Sequence, residues 1–148
     1  MGWVDTLKGS IVGVDTSPFI YYSEVHSNYF QVVEPFFQAL IRSDFKVVTS
    51  IVTLLETLVR PVKEGNTALA QEYRDILFDT EGIDTITLTQ GIAEEAARLR
   101  AIYRIATPDA IQVATAISSN ATFFLTNDRR LSSISELKVL TLDILKTL

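Results

Sequence analysis

The chain has 148 residues, 47% of them hydrophobic, which suits one compact domain with a full core. Its 13 basic and 18 acidic residues give a net charge of −5, but this does not exclude a nucleic-acid partner, because four acids gathered around a metal ion would account for most of that excess. The absence of cysteine excludes disulfides, thiolate nucleophiles and zinc–sulfur sites, and the single histidine excludes a two-histidine metal site.

The first half of the chain predicts strands that alternate with helices. A strand over residues 11–14 is followed by a helix start at Thr16-Ser17-Pro18, and the later elements are a helix over 29–41, a strand over 46–50, and helices over 51–60 and 67–78. Two prolines bear on these helices. Pro35 lies inside the first apolar pattern, and Pro61 is expected to stop the helix that begins at residue 51.

The second half continues the alternation. It predicts a strand over 83–88, a helix over 90–103, a helix that opens at Thr107-Pro108, a strand over 122–126, a short turn or helix over 129–134, and a last strand over 138–142. Thr107 is the expected N-cap of its helix. The residues of the strand over 83–88 alternate in polarity, which is typical of a sheet edge. Strands alternating with helices predict a parallel α/β sheet covered on both faces.

Two carboxylates directly follow predicted strands. Asp15 comes after the strand over 11–14, and Asp128 comes after the strand that contains Phe123 to Leu125. Ligands of open parallel sheets bind outside the carboxyl ends of the strands, so both acids should emerge at one edge. Each also has a purely structural explanation, as a helix cap or a turn residue.

Two further acids belong to apolar helices. Asp109 lies in the first turn of a helix that is otherwise almost wholly apolar, and Glu56 is flanked by leucines in TSIVTLLETLV. A buried charge needs a partner, so Glu56 points to a polar site. The alternatives are that Asp109 only favours its helix dipole, and that Glu56 turns outward to pair with Arg60.

Four acidic segments follow one another in the order IVGVDTSPFIYY, TSIVTLLETLV, TPDAIQVATAI and FFLTNDRRL. They resemble the four acidic motifs of the PIN-domain ribonucleases, in particular the VapC-like toxins of bacterial toxin–antitoxin pairs. The resemblance covers residues 11–142 of a single domain predicted over residues 1–148, with residues 1–10 as an N-terminal extension. It implies a three-layer α/β/α sandwich around a mostly parallel five-stranded sheet.

The resemblance also implies a site and a reaction, namely hydrolysis of RNA by an acidic quartet with one or two bound Mg²⁺ or Mn²⁺ ions. By position the quartet is Asp15, Glu56, Asp109 and Asp128, and the supporting polar residues are Thr126, Asn127, Thr16 and Ser17. Hard divalent cations prefer oxygen ligands, so we expect Asp15 and Asp109 to bind the ion directly. Asp128 should bind it or orient water, and Glu56 should act through water or as a supporting acid.

Some of the binding partners can be predicted from the basic residues, and others only from the resemblance. Arg129 and Arg130, directly after Asp128, are the first candidates to bind RNA phosphates, with Arg98 and Arg104 next, although all four could simply be solvated. The resemblance implies a small antitoxin and a homodimer, for which the helices over 29–41 and 67–78 would offer apolar surface. No apolar run is long enough for a membrane span and the N-terminus lacks a signal-peptide pattern, so we expect a cytoplasmic protein.

Three alternatives to a PIN-domain ribonuclease remain. A phosphatase of the haloacid-dehalogenase type needs a second Asp where Ser17 stands, and a receiver domain needs an acidic neighbour for Asp15. The more serious alternative is a catalytically silent PIN-like module that binds RNA or protein. The complete quartet argues against it, since silent variants usually lose an acid.

Overall fold

A computed structural model of the chain describes residues 2–147, so Met1 and Leu148, the two ends of the predicted domain, lie outside the described residues. The strands are β1 (Ile11–Val14), β2 (Lys46–Ser50), β3 (Ile83–Ile86), β4 (Phe123–Thr126) and β5 (Lys138–Thr141). The α-helices are α1 (Thr16–Ser23), α2 (Phe30–Ile41), α3 (Ile51–Glu64), α4 (Thr67–Asp79), α5 (Gln90–Tyr103), α6 (Thr107–Ser118) and α7 (Leu142–Leu145). Two 3-10 helices span Trp3–Leu7 and Arg129–Ser133.

The five strands form one parallel sheet in the order β3-β2-β1-β4-β5. This confirms the predicted three-layer α/β/α fold, and β3 lies at an edge as its polarity pattern predicts. The strand β1 lies at the centre of the sheet, with β2 and β3 on one side and β4 and β5 on the other. The carboxyl ends of β1 and β4 therefore flank the point at which the strand order reverses, where open α/β sheets bind their ligands.

Two hydrophobic cores cover the two faces of the sheet. The core on one face combines β-strand side chains such as Val12 and Val14 with α1, α2, α4 and α7. The other core combines Phe124 of β4 with α5 and α6. Successive residues of a strand point to opposite faces, and this alternation supplies both layers from the same short strands.

Gly13 in β1 allows α6 to approach the sheet closely. A Cβ at this position would lie 2.5 Å from Ala116 Cβ and 2.9 Å from a ring carbon of Phe124, which are distances that real Cβ atoms do not tolerate. Since α6 also carries Asp109 in its first turn, the position of that carboxylate depends on this contact.

Pro35 lies inside α2 and Pro61 lies inside α3, so the prediction that Pro61 ends its helix is wrong. The helix α3 continues to Glu64 and ends where Gly65 takes a left-handed conformation with φ of 67°, and Asn66 N donates back to Pro61 O at 2.8 Å. Glycine and these closing hydrogen bonds, rather than proline, set the end. Pro35 lies on the exposed side of α2, where water can satisfy the carbonyl that proline leaves without a donor.

Several predicted boundaries shift by a few residues. The strands predicted over 83–88 and 138–142 end at Ile86 and Thr141, and the latter runs directly into α7, which the sequence pattern did not indicate. Ala106, not Thr107, is the N-cap of α6, and its side chain makes no capping hydrogen bond. The predicted N-terminal extension packs on the domain, since Trp3 stacks on Phe36.

The apolar faces of α2 and α4 belong mostly to the core, and the apolar surface that they offer for a dimer lies near their ends, at Ile41, which is 67% exposed, and Phe78, which is 51% exposed. Phe36 and Leu40 of α2 and Tyr73 and Leu77 of α4 are all buried. No helix within residues 2–147 is long and apolar enough to cross a membrane.

Candidate active site

The four acids identified in the sequence line a single cleft at the carboxyl edge of the sheet. The cleft has a volume of about 430 Å³, and its walls are formed by Asp15, Thr16, Ser17, Ile20, Tyr21, Glu56, Asp109, Asn127 and Asp128. Each acid comes from a different element: Asp15 follows β1, Glu56 lies on α3, Asp109 lies in the first turn of α6, and Asp128 follows β4.

Asp15 is the most deeply placed of the four carboxylates and is 9% exposed. One carboxylate oxygen accepts from Thr16 N at 2.8 Å, as the N-cap of α1, and the other accepts from Thr126 Oγ1 at 2.7 Å. Burial raises the pKa of Asp15 to about 6, and repulsion from Asp109 and Glu56 adds to this, while its two hydrogen bonds oppose the change. The site therefore crowds negative charge around a poorly hydrated carboxylate.

Asp109 is half-buried, and no hydrogen bond from any residue in the described range reaches its carboxylate. Burial raises the pKa of Asp109, and so does repulsion from Asp128 and Glu56, whereas Arg130 lowers it. A carboxylate without a donor that faces other carboxylates is well suited to bind a cation.

Asp128 differs from the other acids because it already has a cationic partner. Arg130 Nη2 lies 2.7 Å from Asp128 Oδ2, and Arg130 N donates to Asp128 Oδ1 at 2.9 Å. These contacts lower the pKa of the Asp128 carboxyl below its usual value. Asp128 lines the cleft, whereas Arg130, whose side chain is largely exposed, lines the pocket next to it.

Glu56 is exposed, which corrects the expectation that its leucine neighbours bury it. The reason is that α3 turns part of its apolar surface outward, with Leu55 63% and Val59 58% exposed. Glu56 Oε1 accepts from Thr16 Oγ1 at 2.6 Å, which holds the carboxylate at the cleft. The alternative pairing with Arg60 does not occur, because Arg60 instead contacts Glu24 and Glu64.

The other polar residues expected at the site also lie there. Thr126 Oγ1 bridges two acids, because it donates to Asp15 and accepts from Asp128 N at 3.0 Å. Asn127 Nδ2 donates to the Tyr21 hydroxyl at 3.0 Å, while its buried Oδ1 has no hydrogen-bond partner among the described residues. Ser17 contributes to the wall of the cleft next to Thr16.

The donor set fits a hard divalent cation, since it consists of carboxylate and hydroxyl oxygens. In residues 2–147, however, no three His, Cys, Asp or Glu side chains are arranged so that they could hold an ion as they stand. Asp128 contributes to this, because both of its carboxylate oxygens accept hydrogen bonds from Arg130. Binding of an ion therefore requires side-chain rotations, most of all at Asp128 and Arg130.

The four arginine candidates have different surroundings. Arg130 forms an ion pair with Asp128, and Arg129 Nε lies 3.6 Å from Asp143 Oδ2. Arg98 forms ion pairs with Glu95 and Glu136. Arg104 lines a second pocket of about 210 Å³ that shares Asp109 with the cleft. No hydrogen bond or ion pair holds the Arg104 side chain within the part of the chain that the structure describes.

One polar residue beneath the cleft was missed by the sequence analysis. Gln112 lies on α6 one turn after Asp109, is 2% exposed, and donates to Thr16 Oγ1 and Thr53 Oγ1. The signal was available, because Gln112 is a large polar residue in an otherwise apolar helix. The contact in which the Tyr21 hydroxyl accepts from Asn127 Nδ2 was not predicted from the sequence either.

A comparison with protein families matches residues 12–137 to the sequence model described as the PIN domain. A comparison with curated proteins finds no match. Similar solved structures include a toxin–antitoxin complex from Klebsiella pneumoniae, with 24% identity and a TM-score of 0.67 over 90% of this chain and 98% of that chain.

Two further similar structures are more distant in sequence. VapBC2 from Rickettsia felis, bound to a DNA fragment from its promoter, has 18% identity and a TM-score of 0.70 over 88% of this chain and 98% of that chain. The sarcin–ricin loop cleaving toxin VapC20 from Mycobacterium tuberculosis has 17% identity and a TM-score of 0.64 over 78% of this chain and 87% of that chain. At these identities the likeness establishes the fold.

Proposed function

The chain belongs to the PIN-domain family, and on this premise we propose that it is a metal-dependent endoribonuclease, the toxin of a toxin–antitoxin pair. The observation that supports the proposal most directly is the presence of four carboxylates from four separate elements in one cleft. An arrangement of this kind is costly without a cation, because burial raises the pKa of Asp15 and Asp109 and repulsion between the acids raises it further.

In the proposed mechanism Asp15 and Asp109 would hold Mg²⁺ or Mn²⁺ directly, Asp128 would hold it or orient water, and Glu56 would act through water or as a supporting acid. When bound, such an ion makes coordinated water easier to deprotonate and neutralises charge that develops on the phosphate. The chain's own part is positional. Thr16 N and Thr126 Oγ1 fix the orientation of the Asp15 carboxylate, so the ligand is already in place when RNA binds.

Arg130 has a different part in this mechanism. In the metal-free protein its guanidinium neutralises Asp128. If Asp128 were to hold a cation instead, the Arg130 guanidinium would be free for an RNA phosphate, to which its planar fork of donors is suited. Arg129 and Arg98 are weaker candidates, because acidic side chains already hold them.

The proposed partners are RNA, a small antitoxin and a second copy of the chain in the cytoplasm. The Klebsiella and Rickettsia structures are described as a toxin–antitoxin complex and as VapBC2, which supports an antitoxin here. Exposed apolar residues that could serve a homodimer are Leu55, Val59 and Val62 on α3, with Ile41 on α2 and Phe78 on α4. Sedimentation velocity of the chain alone tests for the homodimer. The same measurement after co-expression with any short reading frame that adjoins its gene tests for the antitoxin.

The purified protein should cleave single-stranded RNA in Mn²⁺ or Mg²⁺ and lose this activity in EDTA, because the carboxylates alone cannot neutralise the phosphate. The measurement is RNA cleavage on denaturing gels, with activity restored when the metal is added back. Cleavage that persists at full rate in EDTA would contradict the proposed mechanism.

The alternative is a catalytically silent module that binds RNA or protein. One observation favours it, namely that Arg130 occupies Asp128 and leaves no ready-made metal-binding group within residues 2–147. Titration calorimetry with Mn²⁺ separates the two functions. Heat of binding is expected for the nuclease, and its absence at millimolar metal would support the silent module.

Arg104→Gly should weaken RNA binding without weakening the fold. Arg104 ends α5 with φ of 59°, a left-handed conformation that costs a non-glycine residue about 1 kcal/mol and costs glycine little. Its side chain lies beside the acid cleft, and no residue within 2–147 holds it by a hydrogen bond or an ion pair. We therefore expect it to bind a phosphate of the RNA. If K is the association constant for RNA, the plot of log K against log salt concentration should become less steep by about 0.7 when one phosphate contact is lost.

Fluorescence anisotropy with labelled RNA across a salt series measures this change, and thermal unfolding measures stability. Arg74→Ala is the matched control, because it removes one positive charge from exposed α4, away from both pockets. Equal losses of RNA affinity in the two variants would show that only net charge matters. A lower melting temperature for Arg104→Gly would contradict the argument from backbone conformation.

A further inference from the structure

A buried polar network lies beneath the acid cleft, with the carboxamide of Gln112 at its centre. Gln112 Nε2 donates to Thr53 Oγ1 at 2.7 Å and to Thr16 Oγ1 at 3.2 Å, and Gln112 Oε1 accepts from Ser50 N at 3.3 Å. The Ser50 N–H can only donate, which identifies the oxygen of the carboxamide and settles its orientation. One side chain of α6 is therefore bound to the starts of both α1 and α3.

The direction of every proton in this network follows from that orientation. A hydroxyl carries a single proton, and Thr49 donates its own to Val14 O at 2.8 Å. In the 2.7 Å contact between Thr49 and Thr53, the donor must then be Thr53. Because Thr53 has used its proton, it can only accept from Gln112.

The same reasoning extends to the cleft. Thr16 Oγ1 accepts the second carboxamide proton of Gln112, and its own proton has two acceptors in reach, Glu56 Oε1 at 2.6 Å and Thr53 Oγ1 at 3.4 Å. The much shorter contact with the charged carboxylate directs that proton to Glu56. Glu56 is exposed on α3, and this is the one hydrogen bond that holds its side chain among the residues described. Without it the carboxylate would be free to turn towards solvent.

We propose that Gln112 is a positioning residue that acts through Thr16 to hold Glu56 at the cleft. The backbone N–H of Thr16 also binds Asp15, and α6 carries Asp109 one turn before Gln112, so the network joins three of the four acids. The catalytic consequence rests on the proposed function above, whereas the network and its effect on the carboxylates do not.

The test compares metal binding with folding in the full-length protein. Gln112→Met keeps the length of the side chain and removes its donors and acceptor, and Mn²⁺ affinity measured by calorimetry should fall by about tenfold, as is typical when a residue that orients ligands is lost. Thr16→Val should cause a similar loss. Because Gln112 acts through Thr16, the double variant should lose little more than Thr16→Val alone.

Thr115→Val is the matched control. Thr115 is also buried on α6, but its hydroxyl donates locally to Ile111 O at 2.7 Å, outside the network. This variant should unfold more easily and bind Mn²⁺ with unchanged affinity. If Gln112→Met also binds Mn²⁺ with wild-type affinity, or if its effect simply adds to that of Thr16→Val, the positioning role is overturned.

A second measurement keeps the two proposals separate. If the wild-type protein binds no Mn²⁺, the proposed function falls, and the network is then judged by NMR hydrogen exchange of side-chain amides. Slow exchange of the Gln112 carboxamide protons, faster in Thr16→Val, would support the network. Exchange as fast as that of exposed Gln38 would overturn it, and this measurement needs no Gln112 variant that folds.

Discussion

Asp109→Asn is expected to reduce the rate of RNA cleavage by about 1000-fold, which corresponds to about 4 kcal/mol of lost transition-state stabilisation. The substitution removes the charge of a proposed metal ligand, at a position where no protein hydrogen bond within residues 2–147 depends on the carboxylate. The fold should therefore be unaffected or more stable, because repulsion between Asp109 and Asp128 disappears. Single-turnover cleavage of RNA at saturating Mn²⁺ measures the effect.

Asp79→Asn is the control for this variant. Asp79 is an exposed acid at the end of α4, remote from the cleft, so its loss changes net charge by the same amount. It should cleave RNA at the wild-type rate. Undiminished cleavage by Asp109→Asn would rule out the site that we propose.

Asp15→Asn is expected to stabilise the metal-free protein at neutral pH. The pKa of Asp15 is raised from 3.8 to about 6, mainly by burial, so between these values the folded state binds more protons than the unfolded state. The free energy of unfolding therefore falls as pH rises through this window and levels off above it. The total contribution of Asp15 is about 3 kcal/mol, since each pKa unit corresponds to about 1.4 kcal/mol.

Urea unfolding in EDTA at pH 4 and pH 7.5 tests this prediction. The quantity to compare is the difference in the free energy of unfolding between variant and wild type, because the other acids titrate in both proteins and cancel. The variant should be up to about 3 kcal/mol more stable at pH 7.5 and nearly equal at pH 4. Mn²⁺ should stabilise the wild type at pH 7.5 and the variant much less. A variant less stable than wild type at pH 7.5 would show that Asp15 is not strained by burial.

The fold and the position of two acids could be predicted from the sequence because they depend on the chain direction alone. Parallel strands end at one edge, so residues that directly follow β1 and β4 must meet there, whatever the side chains between them. Asp15 and Asp128 are such residues. The order of the strands, by contrast, was not predicted.

What the sequence could not predict depends on tertiary contacts. The apolar pattern around Glu56 indicated burial, but a pattern does not reveal which face of a helix the rest of the chain covers, and α3 leaves Leu55 and Val59 in solvent. The hydrogen bonds of Gln112 join residues far apart in sequence, such as Thr53. No local periodicity reports such contacts.

The close contact between Gly13 and Ala116 has a consequence for the evolution of the protein. A larger side chain at position 13 would push α6 from the sheet and carry Asp109 away from Asp15, although position 13 has no functional group of its own. Covariation between positions 13 and 116 is therefore expected among homologues, with a gain of volume at one matched by a loss at the other. Selection on the cleft would act here on the size of two residues that never touch RNA.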